Sequence, residues 1–163
     1  MTKAFRSQSS RVVRVVLALA VLALVSSAEA GGPFNFFSLS PCRVVDTRGA
    51  TGATGGPALA ANADRSFPIL GACGVPNTAQ AVVFNVTIVR PTDTGDLRVF
   101  PAGSTTMPLA SVINFVSTDS AVANGAIIPV GVSGSNNVTV HTDMAPSSTG
   151  TVHLVLDVTG YFE

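Results

Sequence analysis

After residue 30, the sequence is a series of short apolar segments separated by glycine, proline, asparagine and aspartate, and no stretch has the apolar periodicity of a helix. Residues 81–90 are rich in β-branched side chains and stop at Pro91, so we expect a central strand that is buried on both faces. Residues 137–142 and 151–159 alternate between two sets of side chains, which predicts that one face of each strand points inward. Five more strands are predicted at residues 42–46, 65–70, 97–100, 111–116 and 126–130.

These segments predict an all-β fold. We expect an antiparallel β-sandwich of about eight strands, jelly-roll or immunoglobulin-like, preceded by the helix of a signal peptide. A parallel α/β fold would need crossover helices, for which the sequence has no candidate. Pro129 favours an edge position or a bulge for its strand, because proline has no N–H for a central ladder. Residues 49–63, rich in Gly, Ala and Thr, are expected to form a long surface loop, and residues 31–163 a single domain.

The first thirty residues, 1–30, have the organisation of a secretory signal peptide. Basic side chains at Lys3, Arg6, Arg11 and Arg14 precede an uncharged apolar run, and small residues follow it. The apolar run is eleven residues long, about half of the roughly 20 that a transmembrane helix needs. We therefore expect cleavage rather than a permanent membrane span, and a protein that is secreted, extracellular or on the cell surface.

Charge excludes two classes of partner. Cleavage would leave five arginines, no lysine and eight carboxylates, a net charge of 5 − 8 = −3. Nucleic-acid binding needs several clustered cations to release counterions, so a nucleic acid is not expected as a partner. Adhesion to anionic lipids is not expected either, because no polybasic stretch remains.

The chain has two cysteines, Cys42 and Cys73. In an exported chain this even count predicts one disulfide bond, which would hold the loop between the two residues. A reactive or metal-binding thiol pair is the alternative, but neither cysteine has a second cysteine or a histidine at ligand spacing. Lipid attachment is not expected, because Cys42 lies twelve residues beyond the predicted signal peptide.

Several short blocks occur in an order that resembles a β-sandwich module of secreted bacterial proteins. They are PCRVVDTR at 41–48, CGVP at 73–76, AVVFNVT at 81–87, GDLRVFPAG at 95–103, SVINF at 111–115 and DVTGYF at 157–162. The resemblance covers essentially the whole chain after the signal peptide. It implies an extracellular, non-catalytic module, and it implies no chemistry for particular residues.

Catalytic residues are not assigned, and we expect the protein not to be an enzyme and to have no cofactor. His153 and Asp157 are the best acid–base candidates, but their spacing on one strand places them about 13 Å apart. His141 and Asp143 are about 7 Å apart by the same rise and could approach only where the strand bends. The glycines at residues 131–134 do not have the spacing of a serine nucleophile elbow.

Four polar residues are assigned structural roles. Asp46 and Arg48, two positions apart at a strand end, are expected to form a partly buried ion pair that fastens the long loop. Asn85 and Asn114 interrupt apolar strands, and we interpret their amides as internal fasteners of loop backbone, because a buried amide needs partners.

Aspartates in turns raise the question of a calcium site. Asp93, Asp96 and Asp119 lie in or next to expected loops, where calcium finds oxygen ligands. Residues 93–96 are too short for an EF-hand loop, and aspartates cap turns without a metal. No metal ligand is therefore assigned, and bound calcium remains a minor alternative.

Three phenylalanines near the predicted mature N-terminus, Phe34, Phe36 and Phe37, have three interpretations. We favour a first strand that packs into the core, over a sugar-stacking platform or a strand donated to a neighbour. For the whole protein we predict a non-catalytic surface or extracellular module that binds or serves a structural role, with a cell-wall or other polysaccharide, or an envelope protein, as its partner. The alternatives are a self-associating adhesive subunit, through edges that few lysines guard, and an accessory domain of a secreted hydrolase.

Overall fold

A computed structural model describes residues 32–131 and 134–163. The predicted signal peptide, residues 1–30, lies outside the described residues. The described residues, 32–131 and 134–163, contain no helix and form nine strands: β1 Phe36–Asp46, β2 Leu59–Ala60, β3 Ala63–Phe67, β4 Ala81–Val89, β5 Gly95–Pro101, β6 Ile113–Phe115, β7 Ala121–Pro129, β8 Val138–Met144 and β9 Thr151–Phe162. The all-β prediction is confirmed.

The strands form two sheets. In the first sheet the order is β1-β9-β4-β7, and the short β2 also pairs with β9. In the second sheet the order is β3-β8-β5-β6. Every strand pair is antiparallel, which agrees with the predicted antiparallel β-sandwich.

The core lies between the inner faces of the two sheets. In β4 the buried residues alternate with half-buried ones, and in β9 most of the same alternation holds. The buried side chains of the two sheets belong to one cluster, which includes Val82, Phe84, Val86 and Ile88 of β4, Leu154 and Leu156 of β9, Leu97 of β5, and Val138 and Val140 of β8. The expectation that β4 is buried on both faces is wrong. It is central in its sheet, but the second sheet covers only one of its faces.

The largest departures from the predicted strands are in β7, β2 and β1. β7 begins at Ala121, five residues earlier than expected, because Ala, Asn and Gly have weak strand propensity and the pairing with β4 supplies the order instead. The strand β2 lies inside the stretch 49–63 that was expected to be loop. β1 begins at Phe36, ahead of the predicted start at residue 42. Pro129 ends the edge strand β7, as its missing N–H favours.

The two ends of the β-domain meet. Contacts define residues Phe34–Glu163 as one compact unit. Within it, the backbone N–H of Asn35 donates to the carbonyl of Glu163 at 2.8 Å, and the N–H of Glu163 donates back to Asn35 at 3.1 Å. Over the described ranges, no helix is long and apolar enough to cross a membrane.

Candidate functional site

The predicted disulfide bond is confirmed. Cys42 in β1 is bonded to Cys73, with their Cα atoms 5.8 Å apart. The bridge closes a loop that contains the Gly/Ala/Thr-rich stretch. Inside this loop, the guanidinium of Arg65 donates to the carbonyls of Gly52, Gly55, Gly56 and Pro57. The sequence alone does not reveal this role of Arg65, because its four acceptors are backbone carbonyls, which every residue has.

Asp46 lies at the centre of a surface charge network. Its carboxylate accepts two hydrogen bonds from the Arg48 guanidinium, at 2.8 and 2.6 Å, and one from the Arg48 backbone N–H at 3.1 Å. Arg43 lies 3.4 Å from Asp46 and donates two hydrogen bonds to Asp157, at 2.8 and 3.1 Å. The hydrogen bonds from Arg48 hold the pKa of Asp46 at about 2, below its ordinary value of 3.8. The expected Asp46–Arg48 ion pair thus forms where β1 enters the loop, and the Arg48 side chain in it is 44% exposed.

The next residue, Thr47, joins this loop to the last strand. Its hydroxyl accepts a hydrogen bond from the Leu154 backbone N–H at 2.8 Å and lies 3.2 Å from the His153 Nδ1. The same ring nitrogen lies 3.1 Å from the Thr47 carbonyl oxygen. Thr47 is buried, whereas the His153 ring is only part-buried. The imidazole is therefore oriented through one nitrogen.

The first sheet has an outer face, which we define by the side chains that point away from the core. Its members are Ala81, Val83, Asn85, Thr87 and Val89 of β4, His153, Val155, Asp157 and Phe162 of β9, Phe36 and Arg43 of β1, and Ala121, Ala123, Gly125, Ile127 and Pro129 of β7. From His153 to Phe162 this face is about 30 Å long, at ~3.3 Å per residue. Among the described strands, none packs on it.

The predicted roles of Asn85 and Asn114 are wrong. Asn85 is half-buried on the outer face, where its amide donates to the Thr87 hydroxyl at 3.2 Å. Asn114 is exposed on the second sheet, and its carbonyl oxygen accepts a hydrogen bond from the Ser111 hydroxyl at 3.1 Å. Neither amide bonds to loop backbone in the described part of the chain. Both side chains point away from the core, so neither needs an internal partner.

Aromatic side chains lie exposed at one end of the first sheet. Phe34, Phe36 and Phe37 are 42, 53 and 43% exposed, so the expectation that they pack into the core is wrong. The Phe36 ring lies 5.3 Å from that of Phe162, and the Phe37 ring stacks at 5.1 Å on Tyr161. Tyr161 packs against the core cluster, whereas the phenylalanines lie at its margin, where Phe36 and Phe37 pack on rings of the neighbouring strand β9.

Cationic side chains lie at the opposite end of the outer face. A pocket of about 290 Å³ is lined by Arg48, Val89, Arg90 and His153. Arg90 follows the last residue of β4 and has a φ of 49°, a left-handed conformation that costs energy for a residue with a side chain. Within residues 32–131 and 134–163, no carboxylate or hydrogen-bond acceptor pairs with the Arg90 side chain.

The outer face of the second sheet carries the other histidine. His141 Nδ1 lies 2.6 Å from Asp64, and its Nε2 lies 3.8 Å from Asp143. Arg98 lies 2.7 Å from Asp143 and 3.8 Å from Asp96. Burial, and then repulsion from Asp143, raise the pKa of Asp96. In the described residues no group of three His, Cys, Asp or Glu side chains is arranged to hold a metal ion.

Comparison with known proteins adds little. No protein family and no curated protein matches this sequence. Among solved structures, a chain of the cyanophage Pam1 capsid asymmetric unit is similar, with 21% identity over 85% of this chain and 94% of that chain. The TM-score is 0.34, and we infer nothing about fold or function from this likeness.

Proposed function

We propose that this protein is a secreted, non-enzymatic module that binds a glycan chain along the outer face of the first sheet. The predicted signal peptide and the Cys42–Cys73 disulfide support secretion, because disulfides persist mainly in oxidising compartments. The resemblance to modules of secreted bacterial proteins points the same way.

The observation that carries the proposal is the distribution of side chains along this face, on which no described strand packs. At one end the exposed ring of Phe36 beside Phe162 offers an apolar surface for the C–H face of a sugar. In the middle of the face, Asn85 of β4 lies opposite Asp157 of β9. The amide and the carboxylate are groups that can bind the hydroxyls of a sugar. Its length of about 30 Å suits a polymer better than a small molecule.

The pocket at the far end specifies the chemical class of glycan. Arg48 and Arg90 line it together with His153, and guanidinium groups bind carboxylate and phosphate with two hydrogen bonds. Arg48 is already paired with Asp46, so Arg90 is the cation that a ligand would engage. We infer a polysaccharide that carries carboxylate or phosphate groups, as acidic cell-wall polymers do.

Depletion from solution tests the proposal. Purified protein is incubated with insoluble peptidoglycan, chitin, cellulose and whole-envelope fractions, and the protein left in solution is measured. We expect saturable retention on an acidic polymer, weakened at least fivefold by Phe36→Ala and by Arg90→Gln. Leu109→Ala is the matched control, because Leu109 is 94% exposed and lies outside this face. Absence of retention on every polymer, or equal loss in the control, would overturn the proposal.

A further inference from the structure

The sheet edges differ in how well they are protected against pairing with another strand. The β1 edge carries Arg43 and Asp46 and is interrupted by two register shifts. The β3 edge is five residues long and carries Asp64 and Arg65, and β6 has only three residues. Charges, prolines, bulges and short length are the usual protections of an edge, and Pro129, at the last position of β7, is the one such feature in that strand. The β7 strand, Ala121–Pro129, has nine residues, no charge and no register shift.

Hydrogen bonds at the two ends of the β4–β7 ladder show which backbone groups of β7 are free. The Arg90 N–H donates to the Ser120 carbonyl at 3.2 Å, and the Val130 N–H donates to the Gln80 carbonyl at 3.0 Å. The residues that bond to one neighbour alternate along an antiparallel strand. The even-numbered residues of β7 therefore bond to β4. The odd-numbered residues turn their backbone groups to the open edge: Ala121, Ala123, Gly125, Ile127 and Pro129.

These edge-facing residues are all exposed. Ile127 is 59% exposed, and space around Gly125 is open, with no atom within 4 Å of where a Cβ would lie. In the described part of the chain, no backbone group outside β4 bonds to the backbone of β7, and the Asn124 side-chain amide donates to the Val112 carbonyl at 2.7 Å. Pro129, which has no N–H to leave unpaired, is the last residue of the strand.

We propose that β7 pairs with β7 of a second copy of this chain, so that two first sheets join into one continuous antiparallel sheet. Pairing about a twofold axis at Gly125 sets Gly125 opposite Gly125, Ala123 opposite Ile127, and Ala121 opposite Pro129. Every one of these is an edge-facing residue, so the register pairs every free N–H on both strands and every free C=O except that of Ala121, which faces the proline nitrogen. The Ala121 N–H of one copy faces the Pro129 carbonyl of the other, and this carbonyl can accept the hydrogen bond although proline has no N–H.

A second copy is the occupant that the edge fits because the strand is complementary to itself. It carries no charge, so two copies meet without like-charge repulsion although the secreted chain would have a net charge of −3. The contact is isologous, and it closes at a dimer rather than growing into a fibre. A strand about 30 Å long buries less than the ~800 Å² per partner of a standard interface, so we expect association in the micromolar range or weaker. This inference does not depend on glycan binding.

Sedimentation equilibrium over a range from about 10 µM to about 1 mM measures the association. The purified protein and Gly125→Ala, which keeps the N–H, are expected to dimerise with concentration. Gly125→Pro, which removes the N–H at the twofold axis, is expected to associate at least tenfold more weakly. If side chains alone drove association, the two Gly125 variants would behave alike, and that result would overturn the pairing.

A second pair of variants protects the test against loss of folding. Circular dichroism and thermal unfolding establish whether Gly125→Pro is folded. Ile127→Lys places a charge on the edge and is expected to abolish dimerisation, whereas Leu109→Lys makes the same chemical change at a position that is 94% exposed and away from β7. A protein that stays monomeric throughout the range, or a dimer that survives Ile127→Lys, would overturn the proposal.

Discussion

The side chain of Asn137 substitutes for a strand partner of Ile69. Its carbonyl oxygen accepts hydrogen bonds from the backbone N–H groups of Ile69 at 2.8 Å and Leu70 at 2.9 Å, and its amide donates to the Gly131 carbonyl at 3.1 Å. Asn137 is 5% exposed, and Ile69 is fully buried. One amide therefore ties the segment after β3 to the turn before β8.

Loss of this amide should be costly. Asn137→Ala leaves two backbone N–H groups without an acceptor in a buried place, and we expect the free energy of unfolding to fall by about 2–3 kcal/mol. Urea unfolding followed by circular dichroism measures the change. Asn85→Ala is the control, because its amide bonds only to Thr87 on the outer face, and a loss below ~0.5 kcal/mol is expected there. Equal losses in the two variants would contradict this account.

Removal of the disulfide should destabilise the fold without changing it. The bridge spans 31 residues of sequence, for which loop entropy gives about 3.5 kcal/mol. The double variant Cys42→Ser with Cys73→Ser should lose a stability of this order and keep its β-sheet circular dichroism. The unmodified protein should lose the same unfolding free energy when dithiothreitol reduces the bridge. If reduction leaves the unfolding free energy unchanged, the bridge does not stabilise the fold by constraining the unfolded chain.

Acid should weaken the attachment of Asp46 to Arg48. The pKa of Asp46 is about 2 in the fold, below its ordinary value of 3.8. A lowered pKa contributes stability above pH ~4, and that stability is lost as the pH falls towards 2. Because the Asp46 side chain is 27% exposed and screened by solvent, we expect about 1 kcal/mol. Unfolding of wild type and Arg48→Gln should differ by this amount at pH 7 and converge near pH 2.

Two glycines should respond oppositely to an added methyl group. At Gly95 a Cβ would overlap the Asp143 carbonyl oxygen and come within 2.9 Å of the Met144 side chain, so Gly95→Ala should cost about 1–3 kcal/mol. At Gly125 nothing lies within 4 Å, and Gly125→Ala should be neutral or slightly stabilising. Melting temperatures of both variants, measured at a low concentration where dimers dissociate, make the comparison.

Strand pattern was enough to predict most of the fold. β4, β8 and β9 were identified from their own residues, because β-branched side chains and alternation record burial directly. The first half of β7 and all of β2 could not be predicted, since Ala, Gly and Asn adopt strands there only because a neighbouring strand supplies hydrogen bonds. The sequence of β4 predicted burial on both faces because valines also occupy its outer face. There the neighbouring strands β7 and β9 leave them half-buried.

Polar roles were harder to predict than strands. Asp46 and Arg48 were chosen correctly as neighbours, because they are two residues apart in sequence. Asn85 and Asn114 were chosen for lying among apolar residues, yet the asparagine amides that bond to backbone are those of Asn62, Asn124 and Asn137. Most partners of Asn62 and Asn137 lie more than 60 residues away in the chain, so no local pattern predicts them. The pocket beside Arg90 likewise depends on three distant segments.

The meeting of Asn35 and Glu163 determines how the domain would respond to mechanical force. Tension on these two ends acts along the hydrogen bonds between β1 and β9, which lie across the strands, so the bonds would open one pair at a time, as in unzipping. The opening stops at Cys42, where the covalent bridge passes the load to Cys73 and shields residues 43–72. On its N-terminal side the domain would therefore lengthen by only the few residues before Cys42, whereas on the other side β9 is held to its neighbours by hydrogen bonds and packing alone.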